Sequence, residues 1–282
     1  MNITCSKEIL KYNVAQVERI TNKNATLPIL GSILLTAKNN TLSLRATNLD
    51  VGIEINIKAK VIDEGEVVVY GNLFLNILSS LYSDKDITLK DNNSNLEIIS
   101  GDNKINIKCL ETDEFPTLPI IKDYENFLIN SNDLRDGILS VAYSASISDI
   151  KPELSSVYIY PENNKLVFVS TDLFRLAEKK IIVNKIKDFN GIILPFKNAI
   201  ELANILNNIS TEVDIKFSKN QISLSLDSLY FTSRIIDGVF PDYKQIIPKE
   251  HKTEVIVLKQ DLINVIKLSN IFSNKFNQIN IG

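Results

Sequence analysis

The sequence predicts an α+β fold in which two amphipathic helices pack on antiparallel sheet, and it predicts that this unit occurs more than once. Three observations point there: apolar residues at helical spacing, separate stretches in which they alternate, and the return of both patterns after about 125 residues.

Ser6 precedes Leu10, Val14 and Val17, which puts one apolar face on a helix begun by a hydroxyl cap. A second helical stretch opens at Gly71 and carries Leu73, Phe74, Ile77, Leu78 and Leu81. Around it the pattern has period two, clearest from Val51 through Ile53, Ile55, Ile57 and Ala59 to Val61, then at Ile87 and Leu89, and at Ile105, Ile107 and Cys109. A helix with one apolar stripe and strands with one apolar face each need a partner, so both helices are expected on the apolar side of the sheet.

The second copy follows in the same order. Ser131 stands 125 residues after Ser6 as an N-cap and leads into Leu134, Ile138, Val141 and Ala145. Thr171-Asp172-Leu173 answers Thr47-Asn48-Leu49 at an offset of 124, and Pro195, with Leu202, Ile205, Leu206 and Ile209, answers Gly71 at the same offset. Strands are expected at Val213, Ile215 and Phe217 and at Ile222, Leu224 and Leu226, and Phe240-Pro241 closes the copy as Phe115-Pro116 closes the first. After Pro248 a third begins with Asp261-Leu262, continues the helical face at Val265, Ile266 and Phe272, and alternates at Ile279 and Ile281. The expected division is 1–122, 123–249 and an incomplete 250–282.

With 44% apolar and 23% charged residues over 282 positions, the composition is that of a water-soluble globular protein with more than one core. Lys7 and Glu8 fall where a signal peptide needs an apolar run, so a cytoplasmic protein without a membrane partner is expected. The net charge of −3 gives no overall pull on a polyanion, and any contact with nucleic acid must come from local asymmetry. Cys5 and Cys109 have neither disulfide-framework nor zinc spacing; Cys109 reads as a small buried hydrophobe and the sole histidine, His251, as a solvated linker residue. No glycine-rich phosphate cradle is present, and no cofactor, metal or catalytic site is expected. Asp113 and Glu114 read as a solvated turn, Lys179, Lys180, Lys185 and Lys187 as solvated surface, and Asp172 with Arg175 as a turn carboxylate and a local ion pair.

Five segments resemble, in order, signatures of the bacterial sliding clamp family, the beta subunits of DNA polymerase III: TLPILG at 26–31, TLSL at 41–44, FTSR at 231–234, DGVFPDY at 237–243 and SNKF at 273–276. The resemblance implies repeated DNA-clamp modules joined head to tail into a homodimeric ring, with helices lining the hole, and an accessory subunit with no catalytic site. It implies double-stranded DNA of any sequence as one partner, and the polymerase alpha subunit, the clamp loader and other proteins bearing clamp-binding peptides as the rest. A follower of a polymerase cannot grip phosphates tightly, because each strong contact is a brake; encirclement replaces affinity. By resemblance Lys23, Asn24, Asn72, Lys151 and Lys197 face DNA, with asparagine at two places where the family often carries a base. The partner-peptide cleft maps to Leu154, Thr171, Phe174, Arg175, Leu176, Pro241 and Ile246, and Leu173-Phe174 depart from the small residue and His or Tyr usual after the Thr-Asp pair. Ring closure maps to Phe74, Ile105 and Ile107 on one side and to Ile271 and Phe272 on the other. With the third module incomplete, weak peptide binding and no closed dimer are expected. A second reading is a clamp-like scaffold that keeps the peptide cleft and no longer encircles DNA.

Overall fold

Strand β1 (Asn2–Ser6) passes directly into helix α1 (Lys7–Glu18), and the Ser6 hydroxyl accepts the Ile9 N–H at 3.5 Å as the N-cap. This is the first element of a computed structural model that describes residues 1–22, 27–82, 86–92, 94–183, 186–207, 209–250, 252–275 and 278–280. Two compact units result, Met1–Phe240 and Pro241–Gly282.

In the first unit the chain continues through β2 (Ser32–Lys38), β3 (Thr41–Thr47), β4 (Val51–Lys58), β5 (Lys60–Asp63) and β6 (Gly65–Tyr70) to helix α2 (Gly71–Ser80), then β7 (Asp86–Asn92), β8 (Asn95–Ser100) and β9 (Asn103–Lys108). The second repeat runs β10 (Glu125–Asn130), α3 (Ser131–Ala142), β11 (Ser156–Glu162), β12 (Lys165–Thr171), β13 (Leu176–Ile182), β14 (Ile192–Pro195), α4 (Phe196–Leu206), β15 (Glu212–Phe217), β16 (Gln221–Leu226) and β17 (Leu229–Arg234). The strand order β1-β7-β8-β9 of the first repeat returns as β10-β15-β16-β17, and β4-β3-β2-β6 returns as β13-β12-β11-β14. Only β5, which extends the first of these sheets beyond β1, has no counterpart.

The repeats share turn chemistry as well as order. Asn39-Asn40 and Asn163-Asn164 both take positive φ in two-residue hairpin turns, a conformation asparagine tolerates better than most residues. Helices α1 and α2 pack on each other and on the strands of their repeat, as do α3 and α4. Their stripes supply the core: Leu10, Val14, Val17, Phe74 and Leu78 in the first repeat, Leu134, Ile138, Val141, Leu202 and Leu206 in the second.

A feature the periodicity does not show is the seam between repeats. Strand β17 pairs antiparallel with β4, with Leu229 opposite Ile55, Phe231 opposite Ile53 and Ser233 opposite Val51, so four strands from each repeat form one eight-stranded sheet. Asn56 N–H to Ser228 O and Arg234 N–H to Asp50 O, both 2.8 Å, extend the pairing at its ends. The boundary expected near residue 122 therefore lies inside one compact unit, because a shared sheet leaves no gap there.

Three expectations need correction. The cap of α3 is Asn130, whose side chain accepts the Asn132 N–H at 2.9 Å; the Ser131 hydroxyl is engaged by Ile209 O and Thr211 N–H instead. The alternation from Val51 to Val61 is two strands, since the chain leaves one sheet at Ala59, whose N–H bonds Asn40 O at 3.0 Å, and β5 joins β1 in another. Helix α4 ends at Leu206, short of Ile209.

In the second unit, helix α5 (Lys259–Asn270) forms where the spacing places it, but none of its residues is buried. Leu262, Val265, Ile266, Ile271 and Phe272 are all exposed, and among the described residues of this unit no strand is present to cover them. Ile279 lies outside any strand, and Ile281 is outside the described residues. Among the described residues no helix is long and apolar enough to cross a membrane.

Candidate functional site

The repeated Thr-Asn/Asp-Leu tripeptide is one turn built twice. Thr47 Oγ1 donates to Val51 O at 2.8 Å and accepts Leu49 N–H at 3.0 Å; Thr171 Oγ1 does the same with Arg175 O and Leu173 N–H at the same distances. Asn48 Oδ1 receives the amides of Asp50 and Val51, and Asp172 Oδ1 those of Phe174 and Arg175. Leu49 and Leu173 sit at φ of 77° and 76°, the position that brings each chain back toward its hairpin partner. Asp50 is thereby the counterpart of Phe174, and Val51 of Arg175. Slight burial opposes ionisation of Asp172, but the amides of Arg175 and Phe174 and the Arg175 guanidinium outweigh it and hold the carboxyl below its ordinary value.

The second of these turns gathers most of the predicted cleft. Thr171 faces Leu176 across the β12–β13 hairpin, and Ser170 Oγ donates to Ser156 O at 3.0 Å, which brings the start of β11, two residues past Leu154, to the same end of the sheet. Leu154 and Thr171 are buried, Leu176 is half-buried, and Phe174 projects with 98% of its surface exposed. Arg175 Nε is held by Asp172 Oδ2 at 3.0 Å. Pro241 and Ile246 are exposed in the second unit.

Of the positions expected to face DNA, Asn72, Lys151 and Lys197 are exposed, while Lys23 and Asn24 lie outside the described residues, as does His251. Lys197 projects from the first turn of α4 and its Nζ meets Asp149 Oδ2 at 3.4 Å, with both side chains about three-quarters exposed. Arg19, at the end of α1, grips Glu201 of α4 through Nε–Oε2 at 3.2 Å and Nη2–Oε1 at 3.5 Å and so ties the two repeats on the helix side of the seam. Helices α1 to α4 together carry four basic and five acidic side chains. Asp149 and Glu201, which set the charge here, carry no sequence signal beyond being acidic near a base.

The positions expected at ring closure fare unevenly. Phe74 is fully buried and Ile107 nearly so, so they fill the core of their own repeat; an apolar stripe is spent first on its own sheet. Ile105 on β9 is half-buried, and with Ile77, Tyr82 and Asn103 it lines a recess of about 360 Å3 beside that edge strand. Cys5 is buried, and burial, with Asp86 nearby, pushes its thiol up to about 12; Cys109 is only half-buried and is pushed up to about 11 by burial and then Asp91. Neither thiol has the character of a nucleophile. Among the described residues no cluster of His, Cys, Asp and Glu could hold a metal ion.

The family model for the DNA polymerase III beta subunit, N-terminal domain, matches residues 1–119, and that for the central domain matches 128–242. The beta sliding clamp of Buchnera aphidicola from Rhopalosiphum padi is 30% identical over 277 residues, which cover 96% of this chain and 75% of that one. This chain belongs to the beta sliding clamp family. The Bacillus subtilis beta sliding clamp is 28% identical over 285 residues, 98% of this chain and 75% of its own length. Among solved structures, the sliding clamp of Bacillus subtilis matches with a TM-score of 0.90 and that of Pseudomonas aeruginosa bound to griselimycin with 0.92, each at 27% identity and each covering 98% of this chain and 75% of the other. A clamp fold accounts for the duplicated topology, and the turn at Thr171 is its second copy of a structural device already present at Thr47.

Proposed function

We propose that the protein is a DNA sliding clamp, an accessory subunit that encircles duplex DNA, confers processivity on the replicative polymerase in the cytoplasm, and docks partner peptides beside Thr171, Phe174, Arg175 and Leu176. The observation that carries this is the β17–β4 seam. Each repeat offers a β4-type edge and receives on a β17-type edge, and one such pair is joined here. The counterparts of those strands, β13 and β9, stand at the ends of their sheets. Extending the same joint at both ends is a heterologous, head-to-tail rule, which generates a ring when its rotation closes. A division into modules at 1–122, 123–249 and from 250 onward is the reading that suits this rule, with Ile105, Ile77 and Tyr82 beside one open edge and Ile271 and Phe272 as candidate partners.

The charge on the helices supports topological holding in preference to adhesion. With acids matching bases along α1 to α4, DNA inside such a ring meets few uncompensated cations, and Lys197 must exchange Asp149 for a phosphate. Lys151 and Lys197 are then the main described contacts, with Asn72 contributing a neutral one. Lys197→Glu is expected to reduce association with DNA by about tenfold at low salt and to flatten the dependence of log K on log salt by roughly one unit, with the thermal midpoint unchanged. Binding measured across a salt series checks this, and an unchanged slope would remove Lys197 from the DNA face.

A further inference from the structure

Asn190 is the one asparagine of the chain that is followed by glycine. The pair lies in the irregular segment 186–191 just before β14, where Asn190 is exposed and the Gly191 N–H makes no hydrogen bond among the described residues. Packing demands a glycine there. A Cβ at Gly191 would collide with Cε2, Cζ and the hydroxyl of Tyr158, and that ring is fixed by stacking on Tyr160, 5.0 Å between centroids, and on Phe240, at 4.7 Å. The pair Asn130-Ser131 shows the contrast: Asn130 Oδ1 holds the Asn132 N–H at 2.9 Å and the Ser131 N–H donates to Thr211 O at 2.9 Å, so both groups are engaged.

We propose that Asn190 is a self-modification site, at which the folded chain loses the side-chain amide and becomes isoaspartate, to the cost of the packing around Tyr158. The reaction goes beyond the proposed function and takes water as its one co-reactant. The Gly191 N–H gives its proton to solvent and the nitrogen attacks Asn190 Cγ. The new N–Cγ bond closes a five-membered succinimide, and the Cγ–Nδ2 bond breaks as Nδ2 takes a proton from solvent and leaves as ammonia. Water then opens the ring. Attack at Cγ restores the original backbone and gives aspartate; attack at the main-chain carbonyl carbon breaks the original peptide bond and gives isoaspartate, whose backbone is longer by one methylene. That insertion falls immediately before Gly191, which sits against the Tyr158 ring, and just ahead of Ile192, which pairs with Ile159, and Ile193, whose carbonyl accepts the Ile236 N–H at 2.8 Å. It also adds charge where acids already prevail. Asn190 and Gly191 line a recess of about 720 Å3 in which Asp123, Glu125 and Asp237 stand against Lys219, so the product brings a fourth carboxylate to one cation.

The test ages the 282-residue chain at physiological temperature in mildly alkaline buffer, folded and in guanidinium, and weighs its peptides by mass spectrometry. The peptide containing Asn190 is expected to gain the mass of amide-to-acid conversion at comparable rates in both conditions, with isoaspartate, detected by enzymatic methylation of its carboxylate, in excess over aspartate. The Asn130 peptide is expected to react in guanidinium alone. Asn190→Gln, which would have to close a six-membered ring, is expected to abolish the first phase of ammonia release from the folded chain. Isomerisation of Asp237-Gly238, in the same recess, leaves the mass unchanged and is thereby told apart. Freshly prepared Asn190→Asp carries the charge without the added methylene, so the aged protein should melt below that variant by about 2–4 °C. Conversion confined to the unfolded chain, or appearing first at another asparagine of the folded one, overturns the assignment of Asn190. An aged, converted protein that melts together with the Asn190→Asp variant overturns the effect on the Tyr158 packing.

Discussion

Phe231→Ala is expected to lower the unfolding free energy of the first unit by about 3–5 kcal/mol in urea titration. Phe231 is 1% exposed, lies opposite Ile53 across the seam and opposite Leu224 within its own repeat, and belongs to the main core. Truncating it removes transfer free energy and leaves a void between two strands that are hydrogen-bonded on both sides and cannot close up. The damage is to the joint as well as to the core. Proteolysis between the repeats, around residues 110–124, is therefore expected to accelerate with the loss of stability. A loss below about 1 kcal/mol would mean that the seam is not part of the cooperative core.

Gly137→Val is expected to cost about 2–3 kcal/mol, measured the same way, because the side chain has nowhere to go. A Cβ at Gly137 on α3 falls 2.5 to 2.7 Å from three ring atoms of Phe168, a residue with no exposed surface. At the same offset the first repeat carries Asn13 on α1 and Leu44 on β3, a larger residue on the helix and a smaller one on the strand. Phe168→Leu should therefore relieve the substitution at Gly137, and the double variant should be more stable than the sum of the single losses. Strict additivity would show that the ring and the glycine are not in contact.

The molecule was most legible where one local rule settles the outcome. Ser6 caps a helix, Thr47 and Thr171 build matching turns, and the offset of Leu10 from Leu134 survives as a repeated topology. It was least legible where a choice is made by tertiary contact. Strands β9 and β17 occupy equivalent places, yet one is a sheet edge and the other is paired with β4, and nothing in the alternation of Ile105-Ile107 or Leu229-Phe231 distinguishes them. Phe74 belongs to an apolar stripe that serves equally as core or interface, and its own repeat claims it first. Asn130 and Ser131 are both good caps, and only the neighbouring Ile209 and Thr211 decide between them. The alternation through Ala59 masks a change of sheet because both sheets accept the same pattern. At the candidate site, the turn carrying Thr171 and Arg175 could be placed from sequence; Asp149 beside Lys197 and Glu201 beside Arg19 could not, since each pair joins different elements.

Topology against adhesion is decided by loading the protein onto circular and linear DNA with the clamp loader and following retention through gel filtration. Encirclement predicts that the complex on a nicked circle survives at high salt and is lost once the circle is cut, as the protein slides off the ends. Equal retention on both forms, or loss that tracks salt alone, would contradict it.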